Sequence, residues 1–115
     1  MEIKSDALMH TRVYMTRKNK DGEPYVFSVR EKKTGQILKN ITFQHGCVKE
    51  DGNMNGLTEE DLLLILLARF EYFQEGDCKC KENATAIRGL SMAIHAMEKR
   101  NKDREKRGVE GTKKA

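Results

Sequence analysis

Thr58-Glu59-Glu60-Asp61-Leu62-Leu63-Leu64-Ile65-Leu66-Leu67-Ala68-Arg69-Phe70-Glu71-Tyr72-Phe73-Gln74-Glu75-Gly76 is where the chain changes its period, and its reading decides the fold. Thr58 offers a helix N-cap, with Asp61 three residues on as a capping-box partner. Glu59, Glu60 and Asp61 then sit in the first turn, where carboxylates favour the helix dipole. The pattern predicts a helix over 58–75 that buries Leu62, Leu63, Ile65, Leu66, Phe70 and Phe73 and stops at Gly76. Asp77 to Lys81 is the connection. A second helix follows over 82–107. Ile87, Leu90, Ile94 and Met97, three and four apart, form a narrow stripe that Asn83 and Asn101 continue. Such a stripe suits packing on a neighbouring helix or on a second copy.

Upstream the period is two. Val13 and Met15, then Tyr25, Phe27 and Val29, then Ile37, Ile41 and Phe43 all occupy odd positions. Turn sequences at 19–24 and 33–35 separate these runs. An antiparallel three-stranded meander over about 9–45 is expected. Residues 1–8 either add an edge strand or fray. The other face, with Arg12, Tyr14, Ser28, Arg30 and Thr42, reads as solvated or used for contacts. Gly46 to Gly56 reads as a loop. The fold class is α+β, a small antiparallel sheet followed by two long antiparallel helices.

At 115 residues the chain reads as one small domain with a limited core, for which oligomerisation is a natural extra source of stability. Charged residues make up 35%, with mixed signs and a net charge of +4. That is a mild bias towards anionic partners. Residues 108–115 read as a basic tail, and solvation explains Lys113 and Lys114 equally well. Cys47, Cys78 and Cys80 do not make a disulfide framework. The run Leu62–Leu67 is far too short to span a bilayer, and no signal peptide is evident. A reducing cytoplasm is the expected compartment.

Catalytic chemistry finds little support. Cys78-x-Cys80 lacks the spacing of a zinc pair, and His10, His45 and His95 are scattered. No cysteine or serine pairs with a positioned base, and there is no glycine-rich phosphate loop. The chain therefore reads as a binding protein with no cofactor and no metal. Phe73 is either core or a platform that stacks on a base. Asn83 is either a cap or first-turn residue of the second helix, or a partner for an adenine edge. Arg100 and Arg104, four apart, share a face on which two guanidinium groups can hold a diphosphate, and Arg107 extends the cluster. On one continuous helix Asn83 and Arg100 lie roughly 25 Å apart. A nucleotide-sized ligand reaches both only if two chains run their helices antiparallel, which gives a site shared in a symmetric dimer.

The pieces Phe43-Gln44-His45-Gly46, Asn55-Gly56-Leu57-Thr58-Glu59-Glu60-Asp61, Arg69-Phe70-Glu71-Tyr72-Phe73-Gln74-Glu75-Gly76, Cys80-Lys81-Glu82-Asn83-Ala84 and Arg107-Gly108-Val109-Glu110-Gly111-Thr112, in that order, resemble a family of phage and prophage proteins, the type-1 Thoeris anti-defence proteins. The resemblance runs over about residues 25–112. It implies a sponge that binds the cyclic ADP-ribose isomer made by a TIR-domain enzyme and sequesters it intact in the host cytoplasm. It implies dimers with pockets at the interface. Some members form hexamers and take up cyclic dinucleotides or trinucleotides at separate sites. Phe73, Asn83 and Arg100 match the signal pocket, and Arg104, Arg107 and Thr112 are the place for a second, oligonucleotide site. An arginine of the sheet also contributes in the family, with Arg12, Arg17 and Arg30 as candidates here. Asn101 and Lys79 depart from the family pattern, which bears on ligand range. The alternative reading is a small phage regulator that binds nucleic acid through the basic second helix. Mixed charge and the lack of a helix-turn-helix pattern count against it.

Overall fold

The computed structural model describes residues 1–46 and 54–108. The elements run β1 Glu2–Ile3, β2 Thr11–Lys18, β3 Pro24–Glu31, β4 Ile37–Thr42, α1 Glu59–Gln74 and α2 Lys81–Lys106. The class is α+β, as the change of period predicts. The chain forms two compact units, Met1–Leu57 and Thr58–Ala115.

The first unit is a four-stranded antiparallel sheet in the order β1-β2-β3-β4. The N-terminal residues do add an edge strand, with Glu2 opposite Tyr14 and Ile3 opposite Val13. Val13 faces Val29, Met15 faces Phe27, and Phe27 faces Ile41, so the odd-numbered apolar residues line one sheet face. Phe27 meets Phe43 edge to face, with ring centroids 5.5 Å apart. Such a pair adds about 0.5–1.5 kcal/mol beyond its buried area.

One expectation for the sheet is corrected. Ile37 does not continue the odd-numbered apolar row. A register shift sets it opposite Arg30 and leaves it 49% exposed. An extra residue in one strand of a pair bends the ladder and redirects side chains, which strict alternation does not anticipate. Of the two readings of the even-numbered face, solvated or used for contacts, its centre follows the second. Ser28 at its centre is 1% exposed. Arg30 folds back along the strand, donating Nε–H to Ser28 Oγ at 3.1 Å. Its guanidinium lies 4.5 Å from the centroid of the Tyr14 ring. Tyr14 stands directly opposite Ser28.

The second unit is a helical hairpin. Thr58 Oγ1 accepts from Asp61 N–H at 3.3 Å, and Thr58 N–H donates to Asp61 Oδ2 at 2.8 Å. Both arms of the capping box are therefore made, and an N-cap of this kind is worth about 1 kcal/mol. On α1 the half-buried residues are Glu60, Leu62, Leu63, Leu67, Phe70, Phe73 and Gln74. Ile65 and Leu66, expected inside, are 53% and 43% exposed. One partner helix covers only a stripe of α1, so an unbroken apolar run necessarily leaves some members outside. On α2 the half-buried set includes Asn83, Ile87, Leu90, Ile94 and Met97, as the spacing predicts, whereas Asn101, expected to continue the stripe, is exposed and Arg104 is half-buried instead. No helix among the described residues is long and apolar enough to cross a membrane.

Candidate functional site

The turn of the hairpin joins the end of α1 to the start of α2 through side chains. The Gln74 amide spans the turn. Its Nε2–H donates to Cys80 O at 2.9 Å, and its Oε1 accepts from Cys80 N–H at 3.1 Å. Cys80 is the N-cap of α2, in extended backbone, and its Sγ accepts from Asn83 N–H at 3.4 Å. Asn83 is thus the third residue of the helix and not its cap. Its side-chain Nδ2–H donates to Cys78 O at 3.0 Å. One amide proton and the carbonyl Oδ1 of Asn83 are left for another partner. Neither cysteine packs under the turn: Cys78 and Cys80 are both exposed.

Phe73 occupies the last turn of α1 and is half-buried. It lines a cleft of about 370 Å³ with Tyr72, Glu75, Gly76, Asp77 and Cys78. Tyr72 meets Phe73 at 79°, with centroids 5.4 Å apart. The Arg69 guanidinium lies 5.3 Å from the Phe73 centroid. The cleft therefore offers aromatic surface and a nearby cation, together with two carboxylates, Glu75 and Asp77. That mixture suits the base end of a ligand better than its phosphates, which the carboxylates would repel.

The cationic residues lie elsewhere on α2. The helix is continuous from Lys81 to Lys106, so Asn83 and Arg100 stand seventeen residues apart by their numbering, roughly 25 Å at helical rise. Phe73 and Asn83 thus share one end of the hairpin, and Arg100, Arg104 and Arg107 belong to the far part of α2. Arg100 is exposed and Arg104 half-buried. Arg107 pairs through Nε with Asp103 Oδ2 at 3.1 Å. Thr112 lies outside the described residues. His95 sits on the exposed side of α2, 3.9 Å from Glu98.

Of the sheet arginines, Arg12 and Arg30 are directly opposite across β2 and β3, and Arg17 is opposite Val26. Arg30 alone is braced, by Ser28 and Tyr14. A second braced element is the segment around Asn55. Asn55 Oδ1 accepts from His45 N–H at 3.0 Å, its Nδ2–H donates to His45 O at 2.9 Å, and its backbone N–H donates to Gln44 Oε1 at 2.9 Å. His45 stacks on Tyr25 with centroids 3.9 Å apart. Leu57 joins Phe43 in an isolated parallel bridge. Gly56 passes so close to this strand that a Cβ there would meet the Phe43 carbonyl group, and Thr42 O at 2.7 Å.

Sequence reasoning missed Gln74, Arg69 and the capping role of Cys80. A polar residue in the last turn before a helix-stopping glycine is the signal that could have found Gln74. Nothing local distinguished Cys80 from Asn83 as the cap, because asparagine is much the commoner choice. Among the described residues no group of three or more His, Cys, Asp or Glu converges as a metal site would require.

Comparison with known proteins adds two observations. The family model described as Acb2/Tad1, hairpin domain, matches residues 36–102, more than half of the chain. The matched segment takes in Phe73, Asn83 and Arg100 but ends before Arg104, Arg107 and Thr112. A protein of Bacillus phage SBSphiJ7, Thoeris anti-defense 1, is 45% identical over 75 residues, which cover 65% of this chain and 52% of that protein. The chain spans about half the length of that curated relative.

Proposed function

Because this chain belongs to the Acb2/Tad1 hairpin-domain family, we propose that it is a phage anti-defence protein acting against Thoeris immunity. In this reading it is a sponge in the host cytoplasm. It binds the cyclic ADP-ribose-isomer signal of the TIR-domain enzyme and holds it uncleaved. The observation that carries the reading is the match of the hairpin itself, since the segment 36–102 contains the Phe73 cleft, Asn83 and Arg100 together.

The chemistry divides along the ligand. Phe73 stacks on the adenine face, a contact worth about 1–3 kcal/mol per base. Asn83 uses the amide proton and carbonyl that Cys78 leaves free to pair with the adenine edge. Arg100 of a second copy holds the diphosphate, because the arginine of the same helix is too far along it. Antiparallel α2 helices in a homodimer then give two equivalent pockets. Ile65, Leu66, Leu64, Tyr72 and Met92 leave apolar surface on the helical unit, which favours such self-association. Arg104, Arg107 and Thr112 are proposed as a second site for cyclic dinucleotides or trinucleotides, which a hexamer would complete. Micromolar to nanomolar capture requires about 8–12 kcal/mol. Stacking, edge hydrogen bonds and charge-assisted contacts are of that order before ordering costs.

The test is to incubate purified protein with the cyclic ADP-ribose isomer, remove free ligand, denature, and analyse the supernatant by mass spectrometry. Intact ligand in stoichiometric amount is the expected result. A degraded product would make the protein an enzyme. Absence of that ligand, with DNA binding that falls steeply with salt, would favour the nucleic-acid reading.

A further inference from the structure

The hairpin reading leaves the even-numbered face of the sheet without a role. Arg12 on β2 and Arg30 on β3 stand directly opposite each other there. Opposed residues on antiparallel strands have Cα atoms about 4.5–5.5 Å apart, and like charges so placed repel. Neither arginine has an ion-pair partner among the described residues. Two residues beyond Arg30, in the alternation of the strand, Lys32 adds another cation, its backbone N–H donating to His10 O at 3.0 Å. Arg12 and Lys32 line one cleft of about 420 Å³ together with Lys4. Arg30 is set in place before any partner arrives. Its Nε–H is committed to Ser28 Oγ at 3.1 Å, and its guanidinium lies 4.5 Å from the Tyr14 ring centroid. The terminal Nη groups are left for a further acceptor. A guanidinium fixed in this way loses little freedom on binding. Solvation alone accounts for an exposed cation such as Arg12. It does not account for two opposed guanidinium groups without carboxylates, one of them fastened to a hydroxyl whose residue is 1% exposed.

We propose that the Arg12–Arg30 pair is a binding site for the phosphate group of a small ligand, with Lys4 and Lys32 at its margin. Phosphate accepts two parallel hydrogen bonds from a guanidinium fork, and two forks on neighbouring strands can grip one such group from both sides. The anion also cancels the repulsion between the arginines, so binding stabilises the sheet. Glu2 and Asp6 line the same cleft. Glu2 stands opposite Tyr14, in the row next to the arginines on that face. These carboxylates would repel a polyanion that ran on past the pair, so a compact phosphate fits and an extended strand does not. The site lies within the unit Met1–Leu57, and its residues fall outside the matched segment 36–102. It is therefore separate from the reading of Phe73, Asn83 and Arg100, and neither depends on the other.

Pyrophosphate is the probe, titrated by calorimetry into the full chain at constant ionic strength. Arg100→Ala serves as the reference protein, because the diphosphate reading of Arg100 would also take up this probe. The reference is expected to bind it. Arg12→Ala added to the reference should weaken binding about tenfold to a hundredfold, the worth of hydrogen bonds to a charged group. The same change should not lower the unfolding midpoint in phosphate-free buffer, since it removes a repulsion. Arg30→Lys keeps the charge but lacks the fork and the bond to Ser28, and should weaken binding about tenfold. Should either variant not fold, shifts of the Arg12 and Arg30 Nε–H resonances on adding pyrophosphate to the reference protein decide without a further substitution. No uptake by the reference, or uptake indifferent to Arg12 and Arg30, overturns the proposal. So does an oligothymidylate that binds this face more tightly than pyrophosphate and falls off steeply with salt, which would assign the face to nucleic acid. Capture of the cyclic ADP-ribose isomer enters none of these readouts, so its failure would sink the sponge reading and leave this one standing.

Discussion

Gln74 grips both backbone polar groups of Cys80, one hydrogen bond in each direction across the turn between α1 and α2. A single amide thereby ties the last turn of one helix to the cap of the next. Replacing it with alanine leaves a backbone N–H and C=O to find water. We expect Gln74→Ala to cost about 1–3 kcal/mol in chemical denaturation. An unchanged midpoint would show that solvent satisfies the turn equally well.

Gly56 has a different kind of necessity. Its backbone runs against the carbonyl groups of Phe43 and Thr42, where a methyl group has no space. Gly56→Ala should destabilise the protein by about 3 kcal/mol or more, because the obstructing atoms are backbone and cannot swing away. Equilibrium unfolding of the purified variant is the measurement. A loss below about 1 kcal/mol would mean that the segment shifts freely.

Ser28 and Arg30 form a brace on the even-numbered sheet face. Ser28→Val removes the acceptor for Arg30 Nε and should cost about 1–3 kcal/mol. It should also loosen the stacking of Arg30 on Tyr14, measurable as faster exchange of the guanidinium protons by NMR. Equal exchange rates in the two proteins would count against the brace.

Phe73→Ala separates a stacking platform from a core residue. The ring is only half-buried, so a larger loss of ligand affinity than of stability is expected, on the order of 1–3 kcal/mol for the stack. Titration calorimetry beside thermal unfolding compares the two. Collapse of the fold with no separable binding effect would return Phe73 to the core.

The proposed two-chain pocket has its own genetic test. Asn83→Ala and Arg100→Ala each should abolish capture of the cyclic ADP-ribose isomer. A mixed dimer of the two variants should recover one pocket while losing the other, so half of wild-type stoichiometry is expected. Mixed dimers that never bind would place the two residues in separate functions.

Period two up to Phe43, turn residues between the runs, and Thr58 with Asp61 at the start of α1 made the order of sheet and helices legible. These are local signals, and each reports on one element and its immediate neighbours. The same locality explains what stayed hidden. Ile37 reads as one more member of an alternating row, yet a register shift sets it opposite Arg30. Ile65 and Leu66 read as core, but one partner helix covers only part of α1. Asn83 reads equally as a cap or a contact, and only the folded turn shows that Cys80 caps and that the Asn83 amide reaches Cys78.

For this chain the sequence by itself determined the fold class, the turn positions, the capping box and the long separation of Asn83 from Arg100. All of these depend on spacing along the chain and on the fixed rise of a helix. Tertiary structure alone decided the burial of Ser28 beneath Arg30, the closeness of Gly56 to Phe43, and the grip of Gln74 on Cys80. Each of those joins residues whose meeting depends on how strands register and how a turn closes, and those geometries arise only when the elements pack together.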